Sequence, residues 1–168
     1  MKKMKIVALT KDNIKKASNI ANKIFYYEYI LPGKFFKASF KPKEFNKLLN
    51  IQQKIETCKY YVAINEKKEV IGTTGLYSIE DDEKNKYWLG WFCVNQKYRG
   101  QGIGQKLLDF TINKAKKKGA KYLNLYTSTN PLEENAQKLY KKNKFYKINK
   151  KETQIGPHKT IYLRKKPT

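Results

Sequence analysis

The chain has 168 residues, of which 37 are basic and 14 acidic, for a formal net charge of +23. That length suits one compact domain with its own core. An aromatic content of 14%, with 13 Tyr and 8 Phe, excludes a disordered basic tail.

The basic start at Lys2, Lys3 and Lys5 is followed by only Ile6 to Leu9 before Thr10, Lys11 and Asp12. A secretory signal needs roughly 7–15 apolar residues, so none is expected here. No stretch approaches the ~18 apolar residues of a membrane span. A cytoplasmic protein without a membrane partner is the expectation. Cys58 and Cys93 are the only cysteines and His158 the only histidine, and none stands in metal-ligand spacing. Neither a metal site nor a Cys–His–Asp triad is expected, and the thiols read as small packed side chains. The lysines form either a plain solvated surface or an attraction for polyanions, whether RNA, an acidic protein or the phosphates of a small molecule.

Met4 to Leu9 predicts a first strand, with Thr10 or Asp12 placed to cap a helix. Ile14, Ala17, Ala21, Ile24 and Phe25 recur at helical spacing and carry that helix to about Tyr29. Leu31-Pro32-Gly33 predicts a turn. Pro42 suits the first turn of a second helix with Phe45, Leu48, Leu49, Gln52 and Ile55 on its inner face. Tyr60 to Ile64 and Val70 to Ile79 predict a hairpin around the polar turn Asn65 to Lys68. Glu80 to Lys86 is a second polar turn. Tyr87 to Val94 is almost wholly apolar, as a central strand covered on both faces would be. A break at Asn95 to Gly102 leads into a helix through about Lys118, with Ile103, Leu107, Thr111 and Ala115 inward and Gly119 beyond its end. Tyr122 to Tyr126 is a strand and Pro131 to Lys142 a short helix. Phe145 to Gln154 and Thr160 to Leu163 are terminal strands joined around Gly156-Pro157. The order β-α-α-β-β-β-α-β-α-β-β predicts an α/β or α+β domain on one sheet, antiparallel early and with a crossover helix after the central strand.

The segment Val94 to Leu108 carries the chemistry. An apolar strand ends, Arg99-Gly100-Gln101-Gly102-Ile103-Gly104 follows, and an amphipathic helix begins. Consecutive N–H groups at such a turn, with the positive end of a helix behind them, form a cradle for phosphate. A P-loop needs Gly-Lys-Ser/Thr at the helix start, and Gly104 is followed by Gln105-Lys106-Leu107. The spacing of Gly100, Gly102 and Gly104 does not fit the Gly-x-Gly-x-x-Gly dinucleotide fingerprint either.

Arg99-Gly100-Gln101-Gly102-Ile103-Gly104 resembles the Arg/Gln-x-x-Gly-x-Gly/Ala signature of the GCN5-related N-acetyltransferases. Asn135-Ala136 with Tyr140 and Phe145 resembles that family's second half-motif. One departure is visible: the family's usual Gly before that Phe is Lys144, which puts the shape of the turn at issue. The resemblance implies a single N-acetyltransferase domain over residues 1–168. Its fold would be one mixed central sheet of about seven strands flanked by about four helices.

The resemblance also implies a site. The strands Tyr87–Val94 and Tyr122–Tyr126 would splay to admit the pantetheine arm of acetyl-CoA, the cosubstrate. Main-chain groups of Phe92, Cys93 and Val94 would pair with its amides, and an N–H there would hold the thioester oxygen as it becomes an oxyanion. The phosphates would lie near Arg99, Gly100, Gln101, Gly102, Ile103, Gly104 and Gln105, with Asn135 from the second half-motif. Tyr140 matches the family tyrosine that hydrogen-bonds or protonates the leaving thiolate. The attacking amine must lose a proton. Glu80, at the end of the strand before the central one, is the best-placed carboxylate, with a water chain or a plain surface role as alternatives. Phe25-Tyr26-Tyr27-Glu28-Tyr29 with Phe35-Phe36 falls where the family builds a lid over the acceptor. Aromatics with one acid would suit a small cationic primary amine, and the same residues would equally serve as core. Two rivals stay open: acetylation of protein N-termini or lysines, and a basic RNA- or ribosome-binding module on a decayed acetyltransferase fold. Both monomer and homodimer fit.

Overall fold

In a computed structural model, the structure describes residues 3–28, 30–41, 44, 47, 55–80, 84–149, 154–155 and 157–167. The elements are β1 (Met4–Ala8), α1 (Ile14–Ile24), α2 (Pro32–Ala38), β2 (Ile55–Asn65), β3 (Val70–Ile79), β4 (Lys86–Val94), a 3-10 turn (Gln96–Tyr98), α3 (Ile103–Lys117), β5 (Tyr122–Ser128), a second 3-10 turn (Pro131–Glu133), α4 (Glu134–Lys142), β6 (Tyr146–Lys147), β7 (Gln154–Ile155) and β8 (His158–Lys165). Seven strands form one sheet in the order β1-β2-β3-β4-β5-β8-β6, and β7 adds a short pairing on β8. Every neighbouring pair is antiparallel except β4–β5, which α3 connects as a parallel crossover. β4 is thus the middle strand, as its apolar run predicts. No described helix is long and apolar enough to cross a membrane.

Core packs on both faces. On one, Ala17 and Ala21 of α1 and Phe35 and Phe36 of α2 close over Tyr60, Val62 and Cys93. On the other, Leu108, Ile112 and Ala115 of α3 and Tyr140 of α4 meet Leu76, Leu89, Leu123 and Leu125. The small alanines at i and i+4 let α1 lie close to the sheet.

Three local readings change. The first helix stops at Ile24, and Asn13 rather than Thr10 or Asp12 occupies its N-cap position. A helix, not a turn, begins at Pro32: proline fits a first helical position because its missing N–H has no partner to lose. Gly33 is tolerated inside it because α1 passes so near. A Cβ on Gly33 would come within 2.9 Å of Ser18 Cβ, and its N–H donates to Asn22 Oδ1 at 2.8 Å. The helix expected from Pro42 falls mostly outside the described residues, and Ile55, assigned to it, opens β2 instead.

Candidate active site

The cleft starts where the sheet comes apart. β4 and β5 pair over only three rungs, Lys86–Tyr122, Tyr87–Leu123 and Trp88–Asn124, and then the ladder stops. A bulge on the other edge of β4 contributes. Thr73 pairs with Cys93 and Gly75 with Gly90, so Trp91 and Phe92 together oppose Thr74. Trp91 sits at φ 37°, a conformation that costs on the order of 1–3 kcal/mol in a non-glycine residue. It is held there by Thr73 Oγ1, which donates to the Trp91 carbonyl at 2.6 Å, and by the rings of Phe25 and Phe35, 5.2 and 5.3 Å away. The bulge turns the end of β4 into the gap.

At the mouth lies the glycine turn. Gly100 and Gly102 have φ of 74° and 75°, so glycine is needed there for conformation; a Cβ would meet nothing within 4 Å at either. Gly102 is the N-cap of α3, no side chain caps that helix, and its first turn holds no acid. The first N–H groups of a helix need partners, and no side chain among the described residues caps these. Such N–H groups suit an anion in charge and geometry. Arg99 is tied down beside it, Nε donating to the Val94 carbonyl at 3.1 Å. The Gln105 side chain is already engaged, with Asp109 at 2.8 Å and with Asn143 of the α4 C-terminus at 2.8 and 3.0 Å. It clamps α3 to α4 and leaves only its main-chain N–H to the cradle.

Split and cradle open into one cleft of about 870 Å³, within the range of small-molecule sites. Phe92, Cys93, Val94, Arg99, Gly100, Gly102, Ile103, Gly104, Gln105, Asn135 and Tyr140 all line it. Gln101 and Glu80 do not. Glu80 is exposed in the turn after β3, apart from the residues the fold brings together.

Tyr140 is only 5% exposed, its ring between Phe92 and Phe145 at centroid distances of 5.9 and 5.8 Å. Burial first, then the charges of Glu133, Cys93 and Tyr27, hold its phenol well above the usual range. It stays protonated and keeps a hydrogen to donate. Cys93, 3.2 Å from Thr73 Oγ1, has its thiol pushed up to about 11 by burial, which makes it a packing group rather than a nucleophile. Lys144, where the family has glycine, adopts φ 62°, the conformation glycine would take. Phe145 N–H donates to the Tyr140 carbonyl at 3.1 Å, so the turn keeps its shape at the cost of backbone strain.

The far wall carries two carboxylates. Glu133 was not singled out by the sequence reading. Its Oε1 accepts from Tyr27 Oη (3.2 Å) and Ser128 Oγ (2.7 Å), and its Oε2 from Thr127 Oγ1 (2.6 Å) and Ser128 N (3.0 Å). The signal for it was local: an acid three residues after the capping Asn130, where a capping-box carboxylate reaches back to the preceding backbone. Glu28 lies in the turn after α1 and also lines the cleft. Burial, then the charge of Glu133, raises its carboxyl above the usual range. The aromatic segment divides. Phe25 packs on Trp91 and Phe36 is fully buried core, whereas Tyr27 and Glu28 face the cleft and Tyr26 is largely exposed. Tyr29 lies outside the described residues.

A central sheet split at its one parallel pair, with an uncapped glycine-rich helix start at the mouth, is a mixed α/β architecture suited to an extended cosubstrate that carries phosphates. The family model described as the Acetyltransferase (GNAT) family matches residues 25–145, and the chain belongs to that family of acetyl-CoA-dependent N-acetyltransferases. Among solved structures it is similar to a GNAT-family acetyltransferase of Staphylococcus aureus Mu50, with TM-score 0.73 and 20% identity over 99% of this chain and 100% of that one. A second N-acetyltransferase of Staphylococcus aureus Mu50 superposes with TM-score 0.74 at 18% identity, over 99% of each chain. The ribosomal-protein-S18-alanine N-acetyltransferase of Escherichia coli does so with TM-score 0.70 at 17% identity, over 96% of this chain and 92% of that one. No curated protein sequence matches significantly.

Proposed function

We propose that the protein moves an acetyl group from acetyl-CoA to a small cationic primary amine by direct attack. The observation that carries this reading is the acceptor wall. In a chain with 37 basic and 14 acidic residues, Glu28 and Glu133 stand together beside Tyr27, Tyr126 and Trp91 in the cleft that holds Tyr140. Carboxylates and aromatic faces both favour a cation. In this reading the α3 N-terminus and Arg99 take the phosphates, main-chain groups of Phe92 to Val94 take the pantetheine amides and the thioester oxygen, and Tyr140 donates to the leaving thiolate. Asn135 lines the cosubstrate side. Glu80 has no part. The unpaired thiols of Cys58 and Cys93 go with a cytoplasmic setting.

The test is an acceptor screen with acetyl-CoA, following released thiol. Alkyl amines and diamines should be turned over faster than peptides carrying a free N-terminal alanine or a lysine side chain. Preference for the peptides would move the acceptor to protein. RNA binding that persists at high salt, without affinity for CoA, would instead favour the nucleic-acid reading.

A further inference from the structure

The two carboxylates of the acceptor wall are not equivalent. Glu133 is saturated: four donors, one from the turn after α1 and three from β5, occupy both its oxygens, so it is fixed in place. Glu28 has neither hydrogen bond nor ion pair to its side chain among the described residues, yet it is half-buried in the same cleft. The titratable groups facing it are Tyr27 from its own turn, Glu133 from the start of α4 and Tyr126 from β5, each coupled electrostatically to it. Lys23, Arg99, Lys142 and His158 line the cleft too, and none forms an ion pair with it. A half-buried carboxylate that lines the same cleft as Tyr140 but is left uncommitted is equipped to exchange a proton.

Resting on the small-amine reading above, we propose that Glu28 takes the proton from the acceptor's ammonium, with Glu133 as the positioning residue that fixes the wall and keeps it negative. The ammonium gives one proton to the Glu28 carboxylate. The freed nitrogen lone pair forms the N–C bond to the thioester carbon, and the C–S bond breaks. The second proton leaving the new amide nitrogen ends on the departing sulfur, beside the Tyr140 hydroxyl. Glu28 then returns its proton to water. An alkyl ammonium near pKa ~10.4 and a carboxyl near ~4.3 differ by about 6 units, an uphill step of roughly 8 kcal/mol. Burial of Glu28 next to Glu133 narrows that gap from the carboxylate side.

Two probe amines separate a proton acceptor from a merely structural residue. Butylamine arrives protonated at neutral pH; 2,2,2-trifluoroethylamine, whose fluorines withdraw charge, arrives largely neutral and needs no base. The wild-type kcat/KM for butylamine should be flat across neutral pH, with its acid limb above the ordinary carboxylate range. Glu28→Gln should lose about 100-fold with butylamine, within the range of general-base removal, and about tenfold or less with trifluoroethylamine. The variant's butylamine profile should climb about tenfold per pH unit, because only the free neutral amine then reacts. Unchanged CoA affinity by calorimetry would establish that the variant is folded. Equal losses with both amines and a profile that stays flat would overturn the assignment to Glu28 while leaving the small-amine reading in place. A wild-type profile that already climbs tenfold per pH unit would do the same without any variant. Wild-type protein that acetylates neither amine but does acetylate an N-terminal alanine peptide would overturn the small-amine reading, and this assignment with it.

Discussion

Removing the Tyr140 hydroxyl tests the leaving-group assignment most directly. The ring of Tyr140 is packed between Phe92 and Phe145, and its hydroxyl has no hydrogen-bond partner among the described residues. Tyr140→Phe therefore deletes one oxygen, leaves the packing of α4 alone and breaks no existing bond, so thermal stability should change by less than about 1 kcal/mol. Catalysis should respond differently. A thioester sulfur accepts hydrogen bonds poorly and a thiolate accepts them well, so the interaction strengthens as the C–S bond breaks. A hydrogen bond to a charged group contributes about 1.5–3 kcal/mol, which at tenfold per 1.36 kcal/mol is a loss of about 10–150-fold in kcat. The Michaelis constant for acetyl-CoA should barely move. The raised phenol also sets a pH signature: its protonated form survives beyond the usual titration near ~10, so wild-type activity should show no alkaline limb from this group below that point. The assay is thiol release with an acceptor from the screen, alongside a melting curve. Wild-type kcat in Tyr140→Phe, with chemistry demonstrably rate-limiting, would reduce Tyr140 to a packing residue.

Gly102→Glu keeps room for its side chain, since nothing lies within 4 Å of the Cβ position, and costs about 1–2 kcal/mol for the left-handed conformation. Its carboxylate, roughly 5 Å from a phosphate at an effective dielectric near 20, should weaken CoA binding about 250-fold in calorimetry, whereas Gly102→Ala should show the strain without the charge effect; equal affinities for the two variants would remove the phosphate from this turn. Lys144→Gly relieves the strain at φ 62° at the expense of a more flexible unfolded chain, for a net gain of about 0.5–1 kcal/mol. The melting temperature should rise by about 1–4 °C, and a fall would mean that the Lys144 side chain stabilises the fold through contacts of its own.

Local chemistry made part of this protein legible in one dimension. The glycine turn into α3 at Gly100 and Gly102 was legible because positive φ and an uncapped helix start are properties of a few consecutive residues. The central strand β4 read correctly because burial on both faces leaves a continuous apolar run. Periodicity alone gave the order of the strands through β5 and the helices α1, α3 and α4. It missed the helix at Pro32, where proline and glycine imitate a turn and only the close approach of α1 makes glycine the fitting residue, and it ran β6 and β7 together as one strand. The geometry of the cleft was decided in three dimensions. That β4 and β5 part after three rungs depends on a bulge held by Thr73 from the neighbouring strand and by rings from α1 and α2. Glu80 looked well placed because it sits one turn from the central strand, but sequence proximity sets no direction, and the chain turns it to solvent. Glu28 and Glu133 are 105 positions apart and meet only because the turn after α1 and the start of α4 border one gap. Charge coupling between them falls off with distance in space, which the spacing of residues along the chain does not encode.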